Sequence, residues 1–449
     1  MRDAEAADCP LSDAELDGLF AAFSDTRLIA LAVSGGADSL ALMVSAARWQ
    51  ARRGGGPAIV VLTVDHRLRR GSSREAAEVV AAAEARGLEA HVLVRRGKAP
   101  TANIEAEARA ARYRLLIEAA RALNASHLLT AHHRDDLAEA LVLRLTRGAG
   151  VFGLAAMRPA VAAGGVVLAR PFLAMPRARL AATTAAAGLV PVDDAMNSDL
   201  RFARSRVRSL MPLLAREGLD PAQLAATACR LADAADAIDV AASACIAAAV
   251  KVDGFAVAYL DGDRFRAAPA AVQARVVVRL LMAVGGGDYG PRFERLSALT
   301  DAMTGAMTAA AAGRFKRTLA GCVIERRDRS FVVYRELGRE APAAVPVRPG
   351  AAIVWDRRFR VTAGQSVPKG LCVGALGAEG HSAISIGRGL APLGALAALA
   401  ALKRRGRIVA VPALGIFASA INQLDVEIRP ILSERLATPP LFPDLSAGS

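Results

Sequence analysis

Three short strings in this 449-residue chain carry residue types that can do chemistry together. The first is Ser34-Gly35-Gly36-Ala37-Asp38-Ser39. Glycines at such a turn let backbone N–H groups close around phosphate oxygens, and a helix starting there adds the positive end of its dipole. Ser34 and Ser39 can donate hydroxyl hydrogen bonds to the same oxygens, and Asp38 suits a phosphate-bound Mg²⁺. The string has no Walker lysine. The second is His132-His133-Arg134-Asp135-Asp136-Leu137-Ala138-Glu139. A helix opening at Asp135 gathers His132, Asp136 and Glu139 about its first turn. Clustered carboxylates need a cation, which a metal, a substrate ammonium or a neighbouring arginine would supply. Arg109 and Arg112, three apart on a helical face, are such arginines. The third string, Arg201-Phe202-Ala203-Arg204-Ser205-Arg206-Val207-Arg208, alternates cations with apolar residues. It reads as a loop that grips phosphates while its apolar residues anchor it, with a solvated charge run as the bland alternative.

Two other patterns lead away from chemistry. Gly148-Ala149-Gly150-Val151-Phe152-Gly153 satisfies GxGxxG but follows a predicted helix instead of a strand, so it reads as a turn and not a dinucleotide site. The five cysteines, Cys9, Cys229, Cys245, Cys322 and Cys372, form no CxxC pair, and the adjacent histidines lack a third donor at metal spacing. Neither zinc nor an iron–sulfur cluster is expected.

The elements that must position these residues alternate. Strands are predicted at Ile29–Val33, Ile59–Val64, His91–Val94 and His127–Thr130. Helices are predicted at Ala37–Trp49, Ser73–Arg86, Ile104–Leu123 and Asp135–Thr146. Strand and helix in turn at this spacing predict a doubly wound α/β parallel sheet with ligands at the carboxyl ends of its strands. A break at 191–208 precedes an alanine-rich helical stretch, Asp220–Val250, which puts a boundary near residue 215. Helices at Ala267–Met282 and Arg292–Ala312 and paired strands at Thr318–Glu325 and Ser330–Tyr334 follow. Ala341–Pro349 reads as a linker, and strands at Ala352–Trp355 and Phe359–Thr362 suggest a small β-containing end.

Composition agrees. Hydrophobic residues make up 53% and aromatics 4%, so the cores are aliphatic. A formal net charge of +14 and a pI near 10.5 point to a polyanionic partner, since clustered cations gain affinity by releasing counterions from phosphates. Charged residues directly after Met1 speak against a secretory signal, and the longest apolar run, Leu390 to Leu402, is too short for a membrane span and contains Pro392 and Gly394. A cytoplasmic location and no membrane partner are expected.

Taken in order, the strings resemble the tRNA(Ile)-lysidine synthetase family of the N-type ATP pyrophosphatases, the PP-loop superfamily. The likeness rests on Val33–Leu42, Val64-Asp65-His66-Arg67-Leu68-Arg69 with Ser73–Ala76, Asn103–Tyr113 and Thr130–Gly150. It continues through Arg170-Pro171-Phe172 and from Asp193-Asp194 past Asn197 to Arg208, and more weakly through Thr318–Cys322, Val354–Phe359 and Val411–Gly415. Leu137 and Ala140 stand where the family often has Gln and Thr, and Ser205 where Asn is usual. The resemblance implies an adenine-nucleotide α-hydrolase-like catalytic domain over 1–215 and two tRNA-recognition domains, 216–338 and 339–449. It implies ATP and Mg²⁺ as cofactors, free L-lysine and the tRNA(Ile) with a CAU anticodon as partners, and adenylation of the wobble cytidine before lysine is attached. Ser34, Gly35, Gly36, Ala37, Asp38 and Ser39 would hold ATP, with Asp38 on Mg²⁺. His132, Asp136, Glu139, Arg109 and Arg112 would be catalytic, and Arg201, Arg204, Arg206 and Arg208 would bind tRNA. A homodimer is compatible with the sequence. The competing readings are a tRNA thiolase, for which residues 10–228 lack cysteines, an amidotransferase or NAD synthetase, for which no glutaminase region is visible, and a catalytically idle RNA-binding protein.

Overall fold

The structure is a computed structural model that describes residues 9–67, 71–95, 104–155, 157–192, 201–287, 290–308, 314–338, 341–377, 380, 389–417 and 425–437. The expected motif residues Leu68, Arg69, Asn103, Asp193, Asp194 and Asn197 lie outside them. The described residues divide into two compact units, one up to residue 235 and one from 236 on. The expected boundary near 215 falls inside the first unit and that at 338 inside the second.

The first unit is built on a six-stranded sheet of order β3-β2-β1-β4-β6-β5. Its strands are β1 (Leu28–Ala32), β2 (Ala58–Asp65), β3 (Glu89–Val94), β4 (His127–Leu129), β5 (Ala160–Ala163) and β6 (Val166–Ala169). All neighbours pair in parallel except the β5/β6 hairpin. The strand–helix alternation and the parallel sheet are as expected; the antiparallel edge was not foreseen, because Gly164-Gly165 turns a short, weakly patterned alanine-rich stretch back on itself. Helices α1 (Asp13–Phe20), α2 (Ala37–Arg53), α3 (Ser72–Glu84), α4 (Ile104–Ala122), α5 (Arg134–Leu145), α6 (Val151–Leu154) and α7 (Arg177–Ala186) follow in the chain, then α8 (Ala203–Arg216) and α9 (Pro221–Ala249).

Period-two alternation along the central strands sorts their side chains onto two covered faces. Ile29 and Leu31 with Ile59 and Val61 pack under Leu16 and Phe20 of α1, Trp49 of α2, Val79 of α3 and Leu180 of α7. Ala30, Val60 and Leu62 turn the other way, to Tyr113, Leu116 and Ala120 of α4. Burying one such aliphatic side chain contributes roughly 1.5–3 kcal/mol.

Three readings of local structure are corrected. Residues 203–208 are helix, not loop: Val207, Met211 and Leu214 make an apolar stripe at helical spacing that packs on Leu137 and Leu141 of α5, and this outweighs the period-two look of the arginine run. Thr318–Glu325 is two strands, Lys316–Leu319 and Cys322–Arg327, because Ala320 and Gly321 both take positive φ and reverse the chain. The Ala341–Pro349 linker contains a short strand, Val345–Pro346, and the apolar run 390–402 resolves into helix Leu393–Ala397 and strand Ala400–Arg404.

The second unit holds two five-stranded sheets, formed by strands between 250 and 335 and between 345 and 417, and one of three strands between 352 and 430. One continuous set of buried side chains, from Ala242 to Leu436, serves all of them. A bidentate ion pair, Arg275 to Asp239 at 2.6 and 2.7 Å, is buried in it.

Candidate active site

In the first unit the chain runs from β1 outward to β2 and β3, then returns to place β4 on the other side of β1. The order of the sheet reverses there, so the loops after β1 and β4 diverge at their carboxyl ends and leave the crevice in which doubly wound sheets bind ligands. The first two of the chemically suggestive strings open on it.

After β1, Val33 N–H still bonds Leu62 O at 3.0 Å, and the chain then turns at Gly35, φ +87°, into α2. A Cβ on Gly35 would meet Val192 Cγ2 at 3.2 Å and Val79 Cγ2 at 3.3 Å, so the turn needs glycine for its φ and for space. The Ser39 hydroxyl ties the loop together: it donates to Gly36 O at 2.9 Å and accepts from Ser34 N–H at 3.1 Å. Asp38, in the first turn of α2, presents Oδ2 to His133 Nε2 at 3.5 Å and to Arg177 Nε at 3.7 Å. Its Oδ1 is buried with no hydrogen-bond partner among the described residues. Burial alone would raise the Asp38 pKa, but the His133 contact and the charges of Arg177 and Arg208 lower it overall. A half-buried, ionised carboxylate with one uncommitted oxygen beside a phosphate loop fits a Mg²⁺ ligand.

After β4, α5 begins at Arg134 with His133 as its N-cap. His133 Nδ1 accepts from Asp136 N–H at 3.3 Å while Asp136 Oδ2 accepts from His133 N–H at 3.1 Å, a reciprocal capping box built with an imidazole. Because Nδ1 accepts, the proton of the neutral ring sits on Nε2, facing Asp38 and Asp136 Oδ2, each at 3.5 Å. Burial disfavours the cation, yet the hydrogen bond to Asp38 and the charges of Asp136, Asp38 and Asp135 raise the His133 pKa.

One turn on, Glu139 is buried and accepts from Arg208 Nε at 2.8 Å and Arg204 Nε at 2.9 Å; Arg204 Nη2 reaches Asp136 Oδ1 at 2.6 Å. Burial would raise the Glu139 pKa, but Arg208 and Arg204 together lower it. His132 lies on the other side of this cluster. Its Nδ1 lies 2.9 Å from Thr130 Oγ1, a hydroxyl that also donates to Ala169 O at 3.5 Å. Burial first, then Arg109, Arg170, Arg204 and Arg112, hold His132 well below the usual imidazole range, so it is neutral at pH 7. Arg109 and Arg112 stack over Tyr113 at 5.3 and 5.8 Å, and Arg109 Nε is buried without a hydrogen-bond partner among the described residues. A neutral imidazole ringed by guanidiniums is an anion cradle.

The structure therefore brings Asp38, Ser34, Ser39, Asp136, Glu139, His132, Arg109 and Arg112 to one crevice. It divides the arginine run: Arg204 and Arg208 turn to the carboxylates, while Arg201 and Arg206 are exposed. Sequence reasoning missed His133, Arg177 and Arg170 as site residues. His133 was hidden because N-caps are read from Ser, Thr, Asp and Asn. Arg170, buried and bonded to Arg158 O at 2.5 Å, showed only as part of a motif.

The fold and this crevice define an ATP-binding enzyme domain of the PP-loop class, and the PP-loop domain family matches residues 11–214. Curated proteins described as tRNA(Ile)-lysidine synthase are similar over most of the chain. That of a Bradyrhizobium species is 44% identical over 70% of this chain and 92% of its own, and that of Rhodopseudomonas palustris 43% over 72% and 94%. That of Ruegeria pomeroyi is 37% identical over 79% and 80%. The chain belongs to the tRNA(Ile)-lysidine synthase family. A solved U34-tRNA thiolase from Methanococcus maripaludis aligns with TM-score 0.44 and 17% identity over 49% of this chain and 78% of its own, which carries no functional weight. No helix among the described residues is long and apolar enough to cross a membrane.

Proposed function

We propose that the protein joins L-lysine to C2 of the wobble cytidine, position 34, of the tRNA(Ile) with anticodon CAU, using ATP and releasing AMP and pyrophosphate. The observation that carries this reading is the meeting of Asp38 with His133 across the crevice, which puts a phosphate loop and a pair of carboxylates suited to an ammonium in one site. Family membership supplies the substrates.

In the first step the cytosine C2 oxygen attacks the α-phosphorus and the bond to the β-phosphate breaks, expelling pyrophosphate. The Ser34–Ser39 loop holds the β- and γ-phosphates with backbone N–H groups. His132, with Arg109 and Arg112, meets the charge on the α-phosphate. Asp38 would hold Mg²⁺, which when bound offsets charge on the departing pyrophosphate. In the second step the lysine ε-amine attacks C2 and AMP leaves with the oxygen. Free lysine arrives as an ammonium of pKa near 10.4, and one of its protons must pass to Asp136 before the nitrogen lone pair can attack C2. Asp136 and Glu139 recognise that cation, sharing or yielding their contacts with Arg204 and Arg208. With its pKa lowered, Glu139 is a better holder of the ammonium than a base for its proton. Residues 1–215 carry the chemistry in this reading, and Arg201, Arg206 and segments 216–338 and 339–449 recognise tRNA.

The test is mass spectrometry of nucleosides from tRNA(Ile) incubated with the protein, ATP, Mg²⁺ and lysine. Cytidine at position 34 is expected to gain lysine with loss of water, and pyrophosphate release to depend on the RNA. Lysine-independent incorporation of another group at position 34, or an unmodified base beside steady pyrophosphate release, would overturn the reading.

A further inference from the structure

We infer that His133 is a positioning residue for the adenylation step: it fixes the rotamer of Asp38 by holding Oδ2, which leaves Oδ1 without a protein partner for Mg²⁺, and it does this through Nε2 while Nδ1 is spent on capping α5. The inference rests on the function proposed above for Asp38.

The two nitrogens of this ring have separable tasks. Nδ1 accepts from Asp136 N–H at 3.3 Å and so starts the helix that carries Asp136 and Glu139. Nε2 lies 3.5 Å from two carboxylate oxygens, Asp38 Oδ2 on the phosphate loop and Asp136 Oδ2 on α5. The ring itself is buried, with 2% of its side chain exposed, so its position is set by packing and by the cap.

The two carboxylates depend on Nε2 unequally. Asp136 is held without it: its Oδ2 accepts from His133 backbone N–H at 3.1 Å and its Oδ1 from Arg204 Nη2 at 2.6 Å. Asp38 has less. Apart from Nε2, its Oδ2 is approached by Arg177 Nε at 3.7 Å, from a side chain 47% exposed, and its Oδ1 has no hydrogen-bond partner among the described residues. A carboxylate held at one oxygen by a buried donor presents the other in a fixed direction; one held by a half-exposed arginine does not. Removing Nε2 therefore loosens Asp38 and leaves Asp136 in place. In the reaction this divides the two steps, because Asp38 serves the polyphosphate and Asp136 the lysine.

Two substitutions separate the nitrogens. Asparagine places its side-chain oxygen near Nδ1 and is a favoured N-cap, so His133→Asn keeps the cap and lacks the Nε2 donor. Glutamine reaches to the Nε2 position with an amide N–H, so His133→Gln keeps the donor and weakens the cap. The readouts are the Kd of Mn²⁺ for the protein with α,β-methylene ATP, by electron paramagnetic resonance, and the thermal midpoint. Pyrophosphate release with tRNA(Ile) at varied Mg²⁺ and the KM for lysine complete the set. His133→Asn is expected to keep its thermal midpoint and its KM for lysine within about threefold, while the Mn²⁺ Kd and the half-saturating Mg²⁺ rise about 10- to 100-fold. His133→Gln is expected to melt at lower temperature and yet bind Mn²⁺ nearly as the unaltered protein does. If His133→Asn leaves Mn²⁺ binding unchanged, or if His133→Gln binds Mn²⁺ no better than His133→Asn, the inference is wrong. If the unaltered protein itself releases no pyrophosphate with tRNA(Ile), it is the proposed function that fails, and the Mn²⁺ measurement still decides the role of His133.

Discussion

At the residue scale the site is a set of charges balanced pairwise, and a single substitution exposes the balance. Glu139 is the hub, with Arg204 and Arg208 both on its carboxylate. Glu139→Gln keeps the shape and one acceptor but removes the charge that two guanidiniums and an incoming ammonium require. Adenylation draws on Asp38, His132, Arg109 and Arg112, so it is expected to persist. Lysine transfer is expected to slow on the order of 10²-fold, as when one preorganised charge partner is removed from a site. Adenylated RNA should then accumulate, visible by acid gel or mass spectrometry. Equal loss of both steps would place Glu139 in the first.

At the element scale, the joints between strand and helix decide whether these residues face one another. Gly35 is the tightest joint: a non-glycine residue at φ +87° costs roughly 1–3 kcal/mol before its Cβ meets Val192 and Val79. Gly35→Ala is expected to lower the unfolding free energy by about that amount and to raise the KM for ATP; an unchanged urea midpoint would mean the loop relaxes freely. A second joint ties α1 to α7. Glu15 completes the capping box with Ser12 and accepts from Arg179 Nη1 and, at 2.8 Å, Nη2. The Arg179 hydrogen bond, more than burial opposes it and with help from Ser12, lowers the Glu15 pKa from 4.5 to about 2. A depressed carboxylate stabilises the fold above its unfolded pKa, and that contribution fades as pH falls through its folded pKa. The stability gap between the unaltered protein and Glu15→Gln is therefore expected to be full above pH 4.5 and to close as the pH approaches 2. Urea midpoints measured across that range check it. Asp38, Asp65 and Glu139 titrate in both proteins and cancel in the difference. A gap that stays constant down to pH 2 would assign the effect to packing. The helical state of 203–208 matters at this scale as well, because helix geometry sends Arg204 and Arg208, four apart, to one carboxylate cluster and Arg206 away from it.

At the scale of the whole molecule, the net charge of +14 predicts RNA affinity that falls steeply with salt. The two roles within the arginine run can be told apart by that slope. Arg206→Ala is expected to flatten the plot of log affinity against log salt by about one unit and to leave lysine transfer intact. Arg204→Ala is expected to spare the slope and slow the transfer. If both flatten it equally, Arg204 leaves the carboxylates for RNA phosphate. The sequence by itself determined much of this protein. Aliphatic runs spaced by helices predicted a parallel sheet, the Ser34–Ser39 string between a strand and a helix read as a phosphate loop, and the clustered carboxylates called for a cation. These are legible because each is carried by a pattern of residue types within one short segment. Only the tertiary structure decided which partners those groups found. That β4 returns beside β1, bringing His133 to Asp38 across some ninety-five intervening positions, is set by the order of strands in the sheet. That Arg204 and Arg208 face Glu139 is set by the apolar stripe of Val207 and Met211 seating α8 on α5. Neither pairing has a local signature, since an ion pair between distant segments is chosen by how their helices pack and not by the residues adjoining either charge.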